Sequence, residues 1–188
     1  ALPFNRGRHP IIWALVLGLT ETASTFFFMD KDFDSGNILS ESIVKIHQSD
    51  DADILYKKIC VVALKQIEEF VPKLANGSFL RTKQNKNLAN FWRKRSFCDG
   101  QIDWRISANS IYNLFRGLRK PYVGAHFSFE GNIIKVWSSK LETNVPKNIE
   151  PGKVLDIYKE KILVKAGVHG LWLTQISPKI VIKPGMYL

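Results

Sequence analysis

Cysteine is scarce: only Cys60 and Cys98 occur in 188 residues. They share no CxxC spacing and have no histidine cluster beside them, which argues against a zinc site or a disulfide scaffold and suits a reducing compartment. The four histidines, His9, His47, His126 and His169, are scattered, and none pairs at metal-ligand spacing. Long apolar runs are missing too. The longest, Ile11 to Leu17, falls far short of the ~20 residues a membrane-spanning helix needs. No charged-then-apolar leader precedes it, and the first residues are Ala1-Leu2-Pro3 with no initiator methionine. There is no internal repeat. The expectation is a cytoplasmic protein with no metal and no membrane contact.

Acids are outnumbered. Seventeen Asp and Glu stand against 27 Lys and Arg, a formal charge of +10. Such a balance points to an anionic partner: nucleic acid, a nucleotide-linked substrate or a polyanionic cofactor. Charge alone does not choose among them, and many basic proteins bind nothing acidic. With 45% hydrophobic and 12% aromatic residues the chain can fill a core. Its length fits one medium domain, or a domain with a small appendage.

Local patterns predict the elements. Pro10 opens a short helix through residues 11–17, stopped by Gly18. A strand over 24–29 runs into Asp30-Lys31-Asp32-Phe33-Asp34-Ser35-Gly36-Asn37, an acidic turn, and a second strand follows over 38–46. Taken alone, these Asp and Gly are ordinary turn residues. Ser49-Asp50-Asp51 supplies an N-cap and negative charge for a long helix over 52–70, with Leu55, Ile59, Val62, Ile67 and Phe70 at helical spacing and Pro72 near its end. Residues 75–105 have no clean period. They hold a basic run (Arg81, Lys83, Lys86, Arg93, Lys94, Arg95) interleaved with Phe91 and Trp92, which reads either as a nucleic-acid surface or as a solvated loop around buried aromatics. Ser107 caps a helix to about Arg119, with Ile106 and Ile111 spaced as a hydrophobic staple. Glu130-Gly131-Asn132 turns a hairpin. Short strands are predicted over 154–158, 161–165 and 171–176, beyond a polar stretch at 143–152. The division implied is 1–120 and 121–188, the second part mainly β.

An ordered series of short motifs gives this layout a family. Leu2-Pro3-Phe4-Asn5-Arg6-Gly7-Arg8-His9-Pro10 is followed by Glu21-Thr22, by Met29-Asp30 and Asp34-Ser35-Gly36, then by Asp99-Gly100-Gln101-Ile102-Asp103-Trp104. Pro121-Tyr122-Val123-Gly124-Ala125, Lys135-Val136-Trp137 and Pro151-Gly152-Lys153-Val154 complete it. No single piece is specific, but the order resembles the N10-formyltetrahydrofolate-dependent formyltransferases along essentially the whole chain. The fold implied is α/β: the C-terminal part of a formyltransferase core, then a small mainly-β module.

The resemblance implies formyl transfer from N10-formyltetrahydrofolate to an amine. Two branches compete, one acting on nucleotide-linked amino sugars and one on methionyl-tRNA. Arg6-Gly7-Arg8 with Pro10 and Trp13, and Val136-Trp137-Ser138-Ser139, look more like the sugar branch. A non-catalytic nucleic-acid-binding fragment is the reading from another class. Asp34 matches the family's catalytic Asp. Asn5, Arg6, Gly7 and Arg8 are candidates for binding donor or acceptor, because arginine contacts phosphate bidentately; an alternative is that one arginine pairs with the acidic turn. Trp13 and Trp104 are candidates for stacking on substrate rings, with core packing as the alternative. A homodimer stays open.

The chain also departs from the pattern. The family's catalytic Asn and His precede Leu-Leu-Pro, so they are not among these residues, and the polypeptide is expected to be inactive alone. Asp32 stands where the family has Gly, so Asp32 is expected to take the left-handed conformation. Ala23-Ser24 replaces Gly-Val, and Asn37 replaces Asp.

Overall fold

A computed structural model describes all 188 residues. They form two compact units, one of Ala1–Ala14 with Leu19–Arg95, the other of Leu15–Gly18 with Ser96–Leu188.

In the first unit, β1 (Arg6–Gly7) runs parallel to β4 (Phe91–Trp92), bringing the first residues beside the end of the basic run. Between them lie α1 (Pro10–Val16), whose last two residues are counted with the second unit, the antiparallel pair β2 (Glu21–Phe27) and β3 (Ile38–Lys45), and the long helix α2 (Ala52–Ala75). Asp51 caps α2, its side chain accepting from the Ile54 amide. Leu55 is buried on the inner face, with Ile59, Val62 and Phe70 half-buried at helical spacing. The Phe70 ring meets Phe26 of β2 at 4.9 Å. The expected Ile67 lies outside this face and is exposed; Gln66 takes the buried position. Its Nε2 donates to the Ser24 carbonyl (3.2 Å) and Ser40 Oγ (2.9 Å). This explains the untidy alternation of β3: Ser40 faces a glutamine rather than an apolar side chain.

The helix also outlasts Pro72, which sits in its last turn, where a missing N–H costs one bond. It ends instead on Gly77 (φ 75°), with Gly77 N–H donating to Leu74 and Ser78 N–H to Lys73, the paired bonds of a Schellman cap. At 24 residues it is the longest helix, yet no helix is long and apolar enough to cross a membrane.

The second unit is built on a five-stranded antiparallel sheet of order β5-β6-β9-β8-β7, comprising β5 (Ala125–Phe129), β6 (Asn132–Glu142), β7 (Val154–Tyr158), β8 (Lys161–Lys165) and β9 (Gly170–Ser177). Glu130 (φ 48°) and Gly131 (φ 78°) form the two-residue turn between β5 and β6, both left-handed as a type I′ hairpin requires. Helix α3 (Ala108–Leu118) is capped by Ser107, whose side chain accepts from Ser110 N–H. It buries Ile111, Leu114, Phe115 and Leu118, and packs on β5, β6 and β9. The division expected at 120/121 therefore falls inside this unit. Residues before α3 belong there as well, because Ile102 N–H donates to the His126 carbonyl at 2.7 Å.

Candidate active site

The acidic turn joins β2 to β3 within the first unit. Phe28 N–H donates to the Asn37 carbonyl (2.9 Å), closing its base. Ser35 and Gly36 are buried, and Gly36 has no room for a side chain: a Cβ there would lie 1.6 Å from the Phe28 carbonyl oxygen. Asp30 accepts from the next residue's amide, a purely local bond. The left-handed residue is Asp34 (φ 52°), not Asp32 as expected. An Asp there costs little because its short polar side chain tolerates that region. The effect is to aim Asp34 back at β1, where Oδ2 accepts from the Gly7 amide at 3.0 Å.

That amide is fixed by strand pairing. Arg6 N–H donates to the Asn90 carbonyl and Arg8 N–H to the Trp92 carbonyl, both at 3.1 Å. Only glycine fits at position 7: at φ 104° a Cβ would stand 2.4 Å from the Trp92 carbonyl oxygen. Asn5 N–H donates to Asn90 Oδ1 at 2.7 Å, and Asn90 Nδ2 returns a bond to Asn5 Oδ1 at 3.3 Å. Asn5 is thus committed to holding the β1–β4 pair.

The two arginines part company. Arg8 is exposed. Arg6 is only 4% exposed, and its Nη2 donates to Gln84 Oε1 at 2.6 Å while the guanidinium lies 5.7 Å from the Phe91 ring centre. Arg6 thus braces Gln84 from a buried position, while its Nε is buried without a hydrogen-bond partner. Nor does it pair with the acidic turn's carboxylates: Gln84 stands between, its Nε2 donating to the carbonyls of Asp34 (2.9 Å) and Gly36 (2.6 Å).

Both tryptophans make ring contacts within their own unit. Trp13 Nε1 donates to the Arg93 carbonyl (3.0 Å), and the guanidiniums of Arg95 and Arg93 lie 4.7 and 5.5 Å from its ring centre. Trp104 lies in the second unit, 6% exposed and edge-on to Phe127 at 5.8 Å. Trp104 is buried and Trp13 half-buried. The basic-aromatic run is mostly at the surface: Arg81, Lys83, Lys86, Arg93 and Lys94 are exposed and Phe91 is 62% exposed, while Trp92 and Arg95 are half-buried and Arg81 stacks over Phe28 at 4.0 Å. No three His, Cys, Asp or Glu side chains gather as a metal-binding group. Gln84 and Asn90 had no signal in the sequence, because both sit in the stretch without periodicity.

Residues 1–69 match the family model described as formyl transferase, and residues 95–183 match that of the formyl transferase C-terminal domain. The chain belongs to the formyl transferase family. Among curated proteins it is 34% identical over 176 residues to a methionyl-tRNA formyltransferase of Caldanaerobacter subterraneus subsp. tengcongensis, covering 94% of this chain and 56% of the relative. It is 36% identical over 156 residues to a bifunctional polymyxin resistance protein of Wigglesworthia glossinidia brevipalpis, covering 82% of this chain and 23% of that protein. Among solved structures, the N-formyltransferase of Helicobacter canadensis, in complex with folinic acid and dTDP-3-aminofucose, superposes with a TM-score of 0.72 at 19% identity, over 92% of this chain and 62% of that one. This likeness establishes the shared fold. The chain spans about half the length of the methionyl-tRNA formyltransferases it matches.

Proposed function

We propose that the chain supplies the proton-accepting side of a formyltransferase that moves the formyl group of N10-formyltetrahydrofolate onto the amino group of a nucleotide-linked amino sugar. The observation that carries this is the Asp34 carboxylate, held by Oδ2 on the Gly7 amide at the tip of a half-exposed turn. In such a transfer the amine nitrogen bonds to the formyl carbon, and the carbonyl becomes a tetrahedral oxyanion. Collapse of that intermediate releases N10 of tetrahydrofolate. The attacking amine must shed a proton, and a carboxylate with one oxygen anchored and the other available can receive it. Stabilising the oxyanion is work for hydrogen-bond donors, which the resemblance assigns to an Asn and a His outside these residues.

A sugar nucleotide is favoured because Arg8 is exposed one residue beyond Gly7, beside the carboxylate's anchor, and a guanidinium can grip a pyrophosphate through two parallel bonds. The second reading is methionyl-tRNA as acceptor, supported by the names of relatives at 33–34% identity. The net charge fits either. The test is a panel on the intact gene product with N10-formyltetrahydrofolate, comparing UDP- and dTDP-linked amino sugars with charged initiator tRNA. Turnover on tRNA alone overturns the first reading. Turnover on none, with salt-sensitive RNA binding, favours a non-catalytic nucleic-acid-binding role.

A further inference from the structure

We infer that Gln84 is a positioning residue for Asp34: it locks the acidic turn and β1 together so that the carboxylate meets the Gly7 amide. The inference rests on the role proposed for Asp34. Gln84 is 5% exposed. One side chain makes three bonds in two directions. Nε2 donates to the main-chain carbonyls of Asp34 and Gly36, and Oε1 accepts from Arg6 Nη2. It therefore ties both residues flanking Ser35 to the residue preceding Gly7. A bond to the Asp34 carbonyl restrains the main chain of the same left-handed residue (φ 52°) that carries the carboxylate.

Gln84 is itself placed by a rigid element. Thr82 and Ile38 exchange both main-chain bonds, Ile38 N–H to Thr82 O at 2.8 Å and Thr82 N–H to Ile38 O at 2.9 Å. That pair sits at the start of β3, immediately after the acidic turn, and delivers Gln84 beneath the turn two residues later. The competing account is that Gln84 only satisfies buried polar groups, as Gln66 does in the same unit. The two glutamines differ in what they hold. Gln66 joins α2 to the hairpin at Ser24 and Ser40, whereas Gln84 holds the main chain of Asp34.

This difference sets the test, made in the intact gene product with Gln84→Ala, Gln84→Glu and Gln66→Ala. Gln84→Glu keeps an acceptor for Arg6 but has no hydrogens for the two carbonyls, and it carries the comparison where Gln84→Ala does not fold. The readouts are Tm, hydrogen exchange of the Gly7 amide, and kcat and KM for formyl transfer. Both Gln84 variants are expected to speed Gly7 exchange about tenfold or more and to lower kcat about tenfold, with KM for the folate donor within about twofold of the parent. Gln66→Ala is expected to lower Tm while leaving Gly7 exchange and kcat per folded molecule unchanged. If the Gln84 variants behave like Gln66→Ala, the inference is overturned. If the parent transfers formyl to no acceptor, the functional reading falls instead. Gly7 exchange then decides the clamp alone, faster exchange supporting it and unchanged exchange refuting it.

Discussion

Asp34 is asked to do two separable things, and three substitutions separate them. Its carboxylate is the proposed proton acceptor, while its backbone sits in the left-handed region with Oδ2 on the Gly7 amide at 3.0 Å. Asp34→Asn keeps the shape, tolerates the same φ, and can still accept from Gly7 through its amide oxygen. Only the charge assistance of that bond is lost, about 1 kcal/mol, but no proton acceptor remains. Asp34→Ala removes the bond to a charged acceptor, about 1.5–3 kcal/mol when buried. It also places a Cβ with no local hydrogen bond in the left-handed region, about 1 kcal/mol more. The turn is half-exposed, so water takes over part of the Gly7 bond, and about 2 kcal/mol in total is expected. Asp34→Gly loses the same acceptor but relieves the backbone, and should fall about 1 kcal/mol short of Ala. Stability by denaturant unfolding therefore places Asn and Gly together, each about 1 kcal/mol below the parent, and Ala about 1 kcal/mol lower still. Turnover at saturating donor and acceptor falls ~10²–10⁴-fold in all three, Asn included. A parent-like rate in Asp34→Asn refutes the proton-acceptor role. Equal stability of the Gly and Ala variants refutes the left-handed geometry.

Further outcomes follow from other contacts. Gly7→Ala drives a Cβ to 2.4 Å from the Trp92 carbonyl at a φ that alanine avoids; prising β1 from β4 should cost about 3 kcal/mol by denaturant unfolding, and an unchanged midpoint refutes the pairing. For Asp50, burial by itself would raise the carboxyl's pKa, but the Lys58 ammonium at 2.6 Å and the His47 N–H at 2.8 Å outweigh burial and hold it low. Its contribution is thus complete above the ordinary Asp value of about 3.9 and is lost as pH falls through the lower folded value. Asp50→Ala should cost about 2 kcal/mol at neutral pH and flatten stability against pH in the acid range; parent-like acid unfolding refutes this. His126, stacked on Phe97 at 4.1 Å, has its pKa lowered by burial, with the Lys135 charge adding to the effect and a hydrogen bond with the Gly124 backbone opposing it. The unfolded chain then binds more protons just below about pH 6.5, so stability is full above that value and declines as pH falls toward the folded one. His126→Phe should remove that decline in a series of Tm measurements, and an unchanged slope rules His126 out as its source.

Those elements whose cause is local were legible in the sequence. The Ser107 cap, the cap expected within Ser49-Asp50-Asp51 and supplied by Asp51, and the Glu130-Gly131 hairpin each depend on a few adjacent residues, and each stands where its residues require. The three final strands lie within a residue of the expected spans. Where a partner far along the chain decides the outcome, local reading stopped short. The buried place of Gln66 exists because Ser24 and Ser40 wait across the interface, and a polar residue on a helix otherwise reads as solvent-facing. The expected boundary at 120/121 differs from the division into compact units for the same kind of reason. Nothing within α3 says that its apolar face is met by strands that come after it rather than by elements before it.

The candidate site shows the same limit more sharply. Charge in a sequence invites a ligand, and Arg6 and Arg8 differ only in their neighbours. Their separation into a buried brace and an exposed guanidinium comes from Gln84 and Phe91, some eighty positions away, which give Arg6 a bond and a ring. Asp34 was singled out among three aspartates by the order of motifs around it, while its left-handed backbone was assigned to Asp32. The reason for that misplacement is physical. A family glycine marks where a turn can be left-handed at no cost, but once Asp stands at both 32 and 34 the local cost no longer discriminates between them. The long-range bonds then choose: Gln84 holds the Asp34 carbonyl and Gly7 holds its carboxylate, and only a left-handed Asp34 serves both.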